Sequence, residues 1–413
     1  MKQSELVYKT YKEWPADEES KNAKLLIRSG YLEKVASGIY NILPLGWRVI
    51  NKISNIIRQH LNKIGAQELL LTNLHPKEFW EQTGRWQSFD ALFKTRSRLE
   101  KEYALAPTHE EIIFPLMKKI INSYRDLPKA VYQIHIKFRD ELRAKSGILR
   151  TREFIMKDLY SFHESAEDLK KYKELVDETY LKIFHDCGLQ AIKTEASGGT
   201  FSEFSTEFQV ITEAGEDTIY FCYNCRIAFN EEIFSGEKCR YCFNRVEKLK
   251  SIEVGNTFEL SDKFAEAFDL RFSDKQGKSR IVKTGCYGIG VTRLFGTIVE
   301  IWSTENLLWP KNITPFDVHL LILEPEINQE MMILISELEE KFNKEGLEIL
   351  VDDRENVSFG EKLTESDLLG IPLRVILGKR FKENKEIELL DRINNKTIYL
   401  SPEHLLNFVI THE

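Results

Sequence analysis

The sequence has no run of about 18 apolar residues, the length a membrane-crossing helix requires, and no segment with the basic start, apolar middle and small-residue end of a secretory leader. Membrane and secretory roles are set aside on that ground. The Glu-rich opening also lacks the Arg-rich character of a transit peptide, so the expected location is cytoplasmic. Excess positive charge is missing too. A net charge of −7 argues against a general nucleic-acid coat, while leaving room for local basic patches. The common phosphate loops are absent: there is no Walker A pattern, and Gly288-x-Gly290 lacks the third glycine of a dinucleotide fingerprint. Cysteine is scarce, and four of the six stand as two Cys-x-x-Cys pairs, which suits a reducing compartment and a metal better than a disulfide framework.

What is present is material for two or three domains in 413 residues, with 42% hydrophobic and 30% charged residues, the balance of a soluble globular chain. Its most informative stretch runs from Tyr132 to Asp158. Tyr132, Ile134, Ile136 and Phe138 alternate with polar residues, and a second apolar run starts at Phe154, so the segment reads as two strands joined by a basic loop. Arg139 and Glu141 are expected on one face of the first strand. A guanidinium held there can grip a phosphate or carboxylate in bidentate fashion, and the carboxylate can accept from an amino group. Arg143, Lys145, Arg150 and Arg152 crowd the loop. Such charge fits a polyphosphate, with Phe154 as an aromatic face for a base; on charge alone a solvated basic hairpin fits as well.

Elsewhere, Ile50, Ile53, Ile57, Leu61 and Ile64 recur at helical spacing between Trp47 and a stop at Gly65, and Gln67 to Leu71 follows as a strand. Pro107-Thr108-His109-Glu110-Glu111 ends a strand and opens a helix, with Thr108 as the expected N-cap and the two carboxylates meeting the helix dipole. Ser165-x-x-Asp168 reads as a capping box for a helix ending at Gly188. Cys222-x2-Cys225, thirteen residues, then Cys239-x2-Cys242 is the donor set of a tetrahedral zinc site, with a redox pair or unligated thiols as alternatives. Residues 284–293 predict a strand running into a helix, with Gly288 and Gly290 for close backbone approach, Arg293 facing a phosphate or base, and Cys286 as a packing residue. After Trp309-Pro310, strands at 318–323, 347–351 and 371–377 alternate with helices near 327–345 and 360–369, which predicts an α/β domain with a parallel or mixed sheet.

Phe138-Arg139-Asp140-Glu141 followed by residues 147–158, Gly-Ile-Leu-Arg-Thr-Arg-Glu-Phe-Ile-Met-Lys-Asp, resembles motif 2 of class II aminoacyl-tRNA synthetases, specifically the bacterial type of prolyl-tRNA synthetase. The helix and strand at 47–71 resemble motif 1, with Thr72 where that motif usually has proline. Residues 284–293 resemble motif 3, and 252–258 the strand before it, where the family often has His at the position of Asn256. Asp352-Asp353-Arg354 and Gly360-x-Lys362 resemble the anticodon-binding domain of the group. The chain departs from the family at 195–209, where Thr200-Phe201-Ser202 and Ser205-Thr206-Glu207-Phe208 replace an Ile-Gly-Gly step and a Ser-His-Glu-Phe, so no role of that histidine transfers.

The resemblance implies an α+β class II catalytic domain, an antiparallel sheet with helices, in 1–214 and 251–312. It implies a small zinc-ribbon-like insert in 215–250, in place of a large editing domain, and an α/β anticodon-binding domain in 313–413. The implied reaction is ATP-dependent activation of L-proline to prolyl-adenylate and transfer to the 3′ end of proline tRNA, with Mg2+, in a homodimer built on motif 1. Arg139 would bridge the α-phosphate and the proline carboxylate, with Thr108 and Glu110 holding the amine. Glu141 would accept from the adenine amino group, Phe154 and Arg293 would sandwich the base, Arg150 would hold the outer phosphates, and Glu253 would complete the ATP site. Cys222, Cys225, Cys239 and Cys242 would hold a structural Zn2+. A class II enzyme for another amino acid shares this architecture, and a non-catalytic tRNA-binding paralogue is the rival of a different kind. The Pro-Thr-His-Glu pocket signature weighs against the first, and the intact Arg139, Glu141 and Arg293 against the second. A zinc hydrolase would need an open metal position that four cysteines close.

Overall fold

The structure, a computed structural model, describes residues 1–199, 201–323 and 329–411. Its described residues group into two compact units. One comprises Ala36–Ile39 and Ile53–Thr297, the other Met1–Val35, Tyr40–Lys52 and Ile298–Glu413.

The first unit is built on a nine-stranded sheet. In chain order its strands are β1 (Gln67–Glu68), β2 (Lys129–Phe138), β3 (Glu153–His163), β4 (Ile192–Ser197), β5 (Phe204–Ile211), β6 (Asp217–Cys222), β7 (Ile227–Asn230), β8 (Glu247–Glu259) and β9 (Lys283–Gly290). Their spatial order is β5-β4-β7-β6-β8-β9-β3-β2-β1. Pairing is antiparallel except between β1 and β2 and between β7 and β4. β5 also pairs with β8, so β5, β4, β7, β6 and β8 form a closed ring of pairings that leaves no open edge between β5 and β8. The strands of the cysteine segment, β6 and β7, pair into the main sheet. The alternation at 132–138 does make the hairpin: β2 and β3 pair from Lys129 opposite Phe162 to Phe138 opposite Glu153. The first strand ends at Phe138, however, so Arg139 and Glu141 lie in the loop beyond it rather than on the strand. There the Glu141 amide donates to the Arg139 carbonyl at 2.8 Å.

Two aromatic layers hold the sheet. On one side Phe114, Phe162, Phe264 and Phe268 form a buried cluster beneath α2 (Glu110–Lys118). On the other, α3 (Ala166–Asp186) lays Tyr180 and Phe184 against Phe208, with ring centroids 5.2 and 5.6 Å apart. Ser165 caps α3 by accepting from the Asp168 amide at 3.2 Å, but Asp168 turns to His163 at 2.7 Å, so the expected reciprocal box is half formed. Gly255 on β8 is required by this packing. A Cβ there would lie 3.0 Å from both the Phe184 ring and the Gly288 carbonyl. The helix expected from Trp47 is α1 (Pro44–Lys63), and motif 3 is β9 running into α4 (Val291–Trp302).

In the second unit, β10 (Val318–Ile322), α5 (Gln329–Lys344), β11 (Ile349–Asp352), α6 (Phe359–Leu369), β12 (Leu373–Leu377), β13 (Ile387–Asp391), β14 (Lys396–Leu400) and α7 (Pro402–Thr411) follow in order. Residues 327 and 328 of the expected helix lie outside the described residues, as does Thr200 of the altered loop. The sheet order is β11-β10-β12-β13-β14, parallel among the first three and antiparallel in the rest, which is the mixed sheet that alternating strands and helices imply. Val318, Leu320, Phe342, Val375 and Leu389 lie at its core.

Candidate active site

An open cleft lies over the middle of the nine-stranded sheet. The strands set its floor and the loop after β2 sets its wall. β3 supplies Phe154 and Met156, β8 supplies Glu253 to Asn256, β9 supplies Gly288 and Gly290, and the first turn of α4 supplies Arg293. The loop contributes Arg139, Glu141 and Ile148 to Thr151. All six residues expected at the nucleotide line this one cleft: Arg139, Glu141, Arg150, Phe154, Glu253 and Arg293. The Thr292 hydroxyl accepts from the Ile155 amide at 2.9 Å, which ties the helix start to β3 and fixes where Arg293 emerges.

The charges there are unequal in their partners. Arg293 donates to the Leu149 carbonyl at 3.0 Å and to Glu253 at 2.9 Å, and Glu253 in turn accepts from the Asn256 amide at 2.8 Å. Arg150 and Glu141 pair at 2.9 Å across the loop. Arg139 differs. Its guanidinium lies over the Phe154 ring, 5.2 Å from the centroid, and among the described residues it makes no ion pair; its Nε is buried without a hydrogen-bond partner. Burial and the neighbouring Arg293 pull its pKa below the ordinary guanidinium value. Glu253, Glu141 and Glu110 offset this only at a distance, and a partly buried cation without an ion-pair partner favours the arrival of an anion. The cleft continues past Glu253 to Glu216 and Asp217. Nearby, burial and then Glu253 push the Glu207 carboxyl up to about 8.

Thr108 and Glu110 do not line that cleft; they form a second, buried group. The Thr108 hydroxyl donates to Glu110 Oε2 at 2.6 Å, so Thr108 is no N-cap, and the capping position falls to His109, which makes no side-chain cap. Glu110 is fully buried. Arg85 reaches it at 3.2 Å and the adjacent Glu111 at 3.0 Å, while the Cys286 thiol donates to Glu110 Oε1 at 3.4 Å. Cys286 is thus a polar partner as well as a packing residue. Arg85 sits among Trp80, Phe89, Phe201 and Phe264, each 5.0 to 5.2 Å from its guanidinium carbon. Burial pushes the Glu111 carboxyl up to about 7 even against Arg85. Sequence reading missed Arg85. The available signal was an arginine framed by Trp80, Trp86 and Phe89 ahead of two adjacent glutamates.

At the far end of β6 the four paired cysteines converge, with all four sulfurs within 4.8 Å of one another. Cys222 and Cys242 are 3.5 Å apart, Cys225 and Cys239 3.9 Å. A tetrahedron with metal–sulfur bonds of about 2.3 Å has sulfur–sulfur edges of about 3.8 Å, so the residues fit a closed zinc site.

Comparison with known proteins matches residues 93–302 to the tRNA synthetase class II core domain (G, H, P, S and T) and 317–412 to the anticodon binding domain. The chain is 34% identical to the proline-tRNA ligase of Ehrlichia ruminantium over 98% of this chain and 99% of that one. It is 31% identical to that of Sulfurihydrogenibium sp., covering 91% and 93%. The latter alignment runs over 528 positions, more than this chain has residues, so that relative carries sequence with no counterpart here. Among solved structures, prolyl-tRNA synthetase from Cryptosporidium parvum complexed with L-proline and AMP shares the fold, with a TM-score of 0.77 at 18% identity over 94% of this chain and 74% of that one.

Proposed function

From the premise that the chain belongs to the class II aminoacyl-tRNA synthetases that are proline-tRNA ligases, we propose how its residues divide the work. The enzyme activates proline with ATP to prolyl-adenylate and transfers the prolyl group to tRNA. No protein nucleophile is needed. The proline carboxylate attacks the α-phosphate in line, and the protein positions the reactants and neutralises charge.

Arg139 bridges the carboxylate and the α-phosphate. The observation that carries this reading is its desolvated guanidinium, without an ion pair, on the wall of the cleft. Phe154 and Arg293 hold the adenine between them, Glu141 accepts from its amino group, and Arg150 moves from Glu141 to the outer phosphates. Glu253, with Asp217 on the same wall, offers the hard oxygen donors that suit Mg2+, which would neutralise phosphate charge when bound. Thr108 and Glu110 receive the proline ammonium, because a buried carboxylate with a hydroxyl beside it supplies the two acceptors a secondary amine needs. Pyrophosphate exchange tested against all twenty amino acids examines this directly: proline alone should support it in the wild type, and retention by a folded Arg139→Ala protein would remove Arg139 from the centre.

Cys222, Cys225, Cys239 and Cys242 would hold a structural Zn2+ at the far end of β6 and β7, a four-thiolate set that would tie the knuckles together rather than activate a water. Elemental analysis should give about one zinc per chain, lost in a Cys222→Ser, Cys239→Ser double variant. The catalytic, insert and anticodon-binding boundaries are 1–214 with 251–312, 215–250 and 313–413. With only that short insert, the enzyme does not itself hydrolyse alanine mischarged on proline tRNA, and purified enzyme should leave such a tRNA intact in a deacylation assay. It works in the cytoplasm as a homodimer through the motif 1 region, where Leu70 and Leu74 are exposed.

A further inference from the structure

The cysteine cluster carries more than a metal set. Three aromatic side chains stand out from it, Tyr223 at 62%, Tyr241 at 61% and Phe243 at 74% exposure, in a protein that otherwise buries most of its rings. Both tyrosines are held in place: the Tyr223 hydroxyl donates to Glu247 at 2.7 Å and the Tyr241 hydroxyl to Glu195. Their ring faces are therefore presented at little further entropic cost. Phe243 follows Cys242 in the left-handed region at φ 58°, and Arg226 follows Cys225 in the same way at φ 53°, so each knuckle turns back and projects the residue after its second cysteine.

Charge adds a second, independent observation. The two knuckles, residues 222–226 and 238–245, contain Arg226, Lys238, Arg240 and Arg245 and no acidic residue. Arg240 is committed to the fold, over the Phe229 and Phe234 rings. Arg226, Lys238 and Arg245 are exposed and form no ion pair among the described residues. Of the acids around the knuckles, Glu231 is already paired with Lys248 at 2.6 Å, Glu247 accepts from Tyr223 and Glu195 from Tyr241, while Glu232 and Glu237 lie between the knuckles. Exposed rings interleaved with unpaired cations are what a flexible single strand requires: bases stack on the rings while phosphates meet the cations.

Position selects the strand. β6 begins at Asp217, on the extension of the cleft past Glu253, and ends at Cys222, so the knuckles lie roughly 17 Å along one strand from that end of the cleft. We propose that the cysteine knuckles are a docking surface for the unpaired 3′ end of tRNA, with Phe243, Tyr223 and Tyr241 stacking on bases and Arg226, Lys238 and Arg245 holding phosphates on the way to the cleft. The proposal rests on tRNA being the substrate and on the observed knuckle geometry, whichever metal is present.

The test uses the full-length enzyme with Phe243→Ala, Tyr223→Ala and an Arg226→Ala, Arg245→Ala double variant, the zinc content of each being measured. Proline-dependent pyrophosphate exchange, which needs no tRNA, should stay at the wild-type level. The KM for tRNA in charging should rise at least about 5-fold for an aromatic variant, the lower end for loss of a stacked base. For the arginine pair, the slope of log affinity against log salt should fall by about 0.7 for each phosphate contact removed. Binding of tRNA shortened by its unpaired 3′ nucleotides should be the same for wild type and variants. An unchanged KM and salt slope would overturn the proposal, as would a parallel loss of exchange and charging or an equal loss of affinity for the shortened tRNA. Absence of zinc in the wild type would end the metal assignment alone, because these readouts do not depend on it.

Discussion

Arg139 and Arg85 are both poorly hydrated guanidinium groups in the same unit, yet they are surrounded in opposite ways. Arg85 meets two carboxylates and four aromatic rings, whereas Arg139 meets one ring and no carboxylate among the described residues. A cation whose charge is balanced within the protein organises other protein groups. One left unbalanced at a cleft is arranged for a ligand's charge. The pair contrasts an arginine that holds protein carboxylates with one that faces a cleft without an ion pair among the described residues.

Removing Arg85 is the severest way to break that contrast. Arg85→Ala would leave Glu110 and Glu111 buried together without a cation, and loss of one partner of a buried ionic group costs about 3–5 kcal/mol. Denaturant unfolding should show this loss, partly restored in Arg85→Lys; a stability within experimental error of wild type would mean the triad is not held by Arg85. Arg139→Ala should do the reverse. Unfolding should barely change, while kcat for exchange should fall by about 10²- to 10³-fold, or ~2.7–4 kcal/mol, as when a preorganised charge donor is lost.

Glu110→Gln sharpens the comparison further, since it keeps shape and removes the anionic acceptor. Proline should bind more weakly by about 1.5–3 kcal/mol with the KM for ATP unchanged; an equal change in both would return Glu110 to a structural role. The smallest effect is a pH slope. The folded protein holds a proton on Glu111 up to about 7, above the ordinary 4.5, so the folded state binds more protons than the unfolded one across that window. Stability from this group is fully present below pH 4.5 and is lost as pH rises through about 7, by up to ~1.4 kcal/mol per unit. Comparing unfolding of wild type and Glu111→Gln between pH 5 and 7 should show that slope in the wild type and not in the variant.

The cleft was legible because its residues lie in three short stretches, two of which carry strong local patterns. Alternation at 132–138 places the hairpin, and the strand-to-helix step at 283–293 places Arg293. Thr108 was legible as a neighbour of Glu110, but the expected N-cap gave way to a hydrogen bond to that carboxylate. A hydroxyl before a helix can serve the backbone or a side chain, and here a carboxylate two residues on lies within 2.6 Å. How the cysteine segment joins the sheet was not legible, because β6 and β7 pair with β8 and β4 and local spacing does not name those partners.

By itself the sequence determined the family motifs, the residues that line the cleft, the cysteine set and the alternation of strands and helices in the second unit, since each of these is carried by local spacing. Tertiary structure alone decided which charges are balanced. Arg85 reaches Glu110 across 25 residues and Cys286 reaches it across 176, while Arg139 forms no ion pair among the described residues. Local periodicity carries no information about such partners, because a charge is balanced by whatever the folded chain brings within a few ångströms of it.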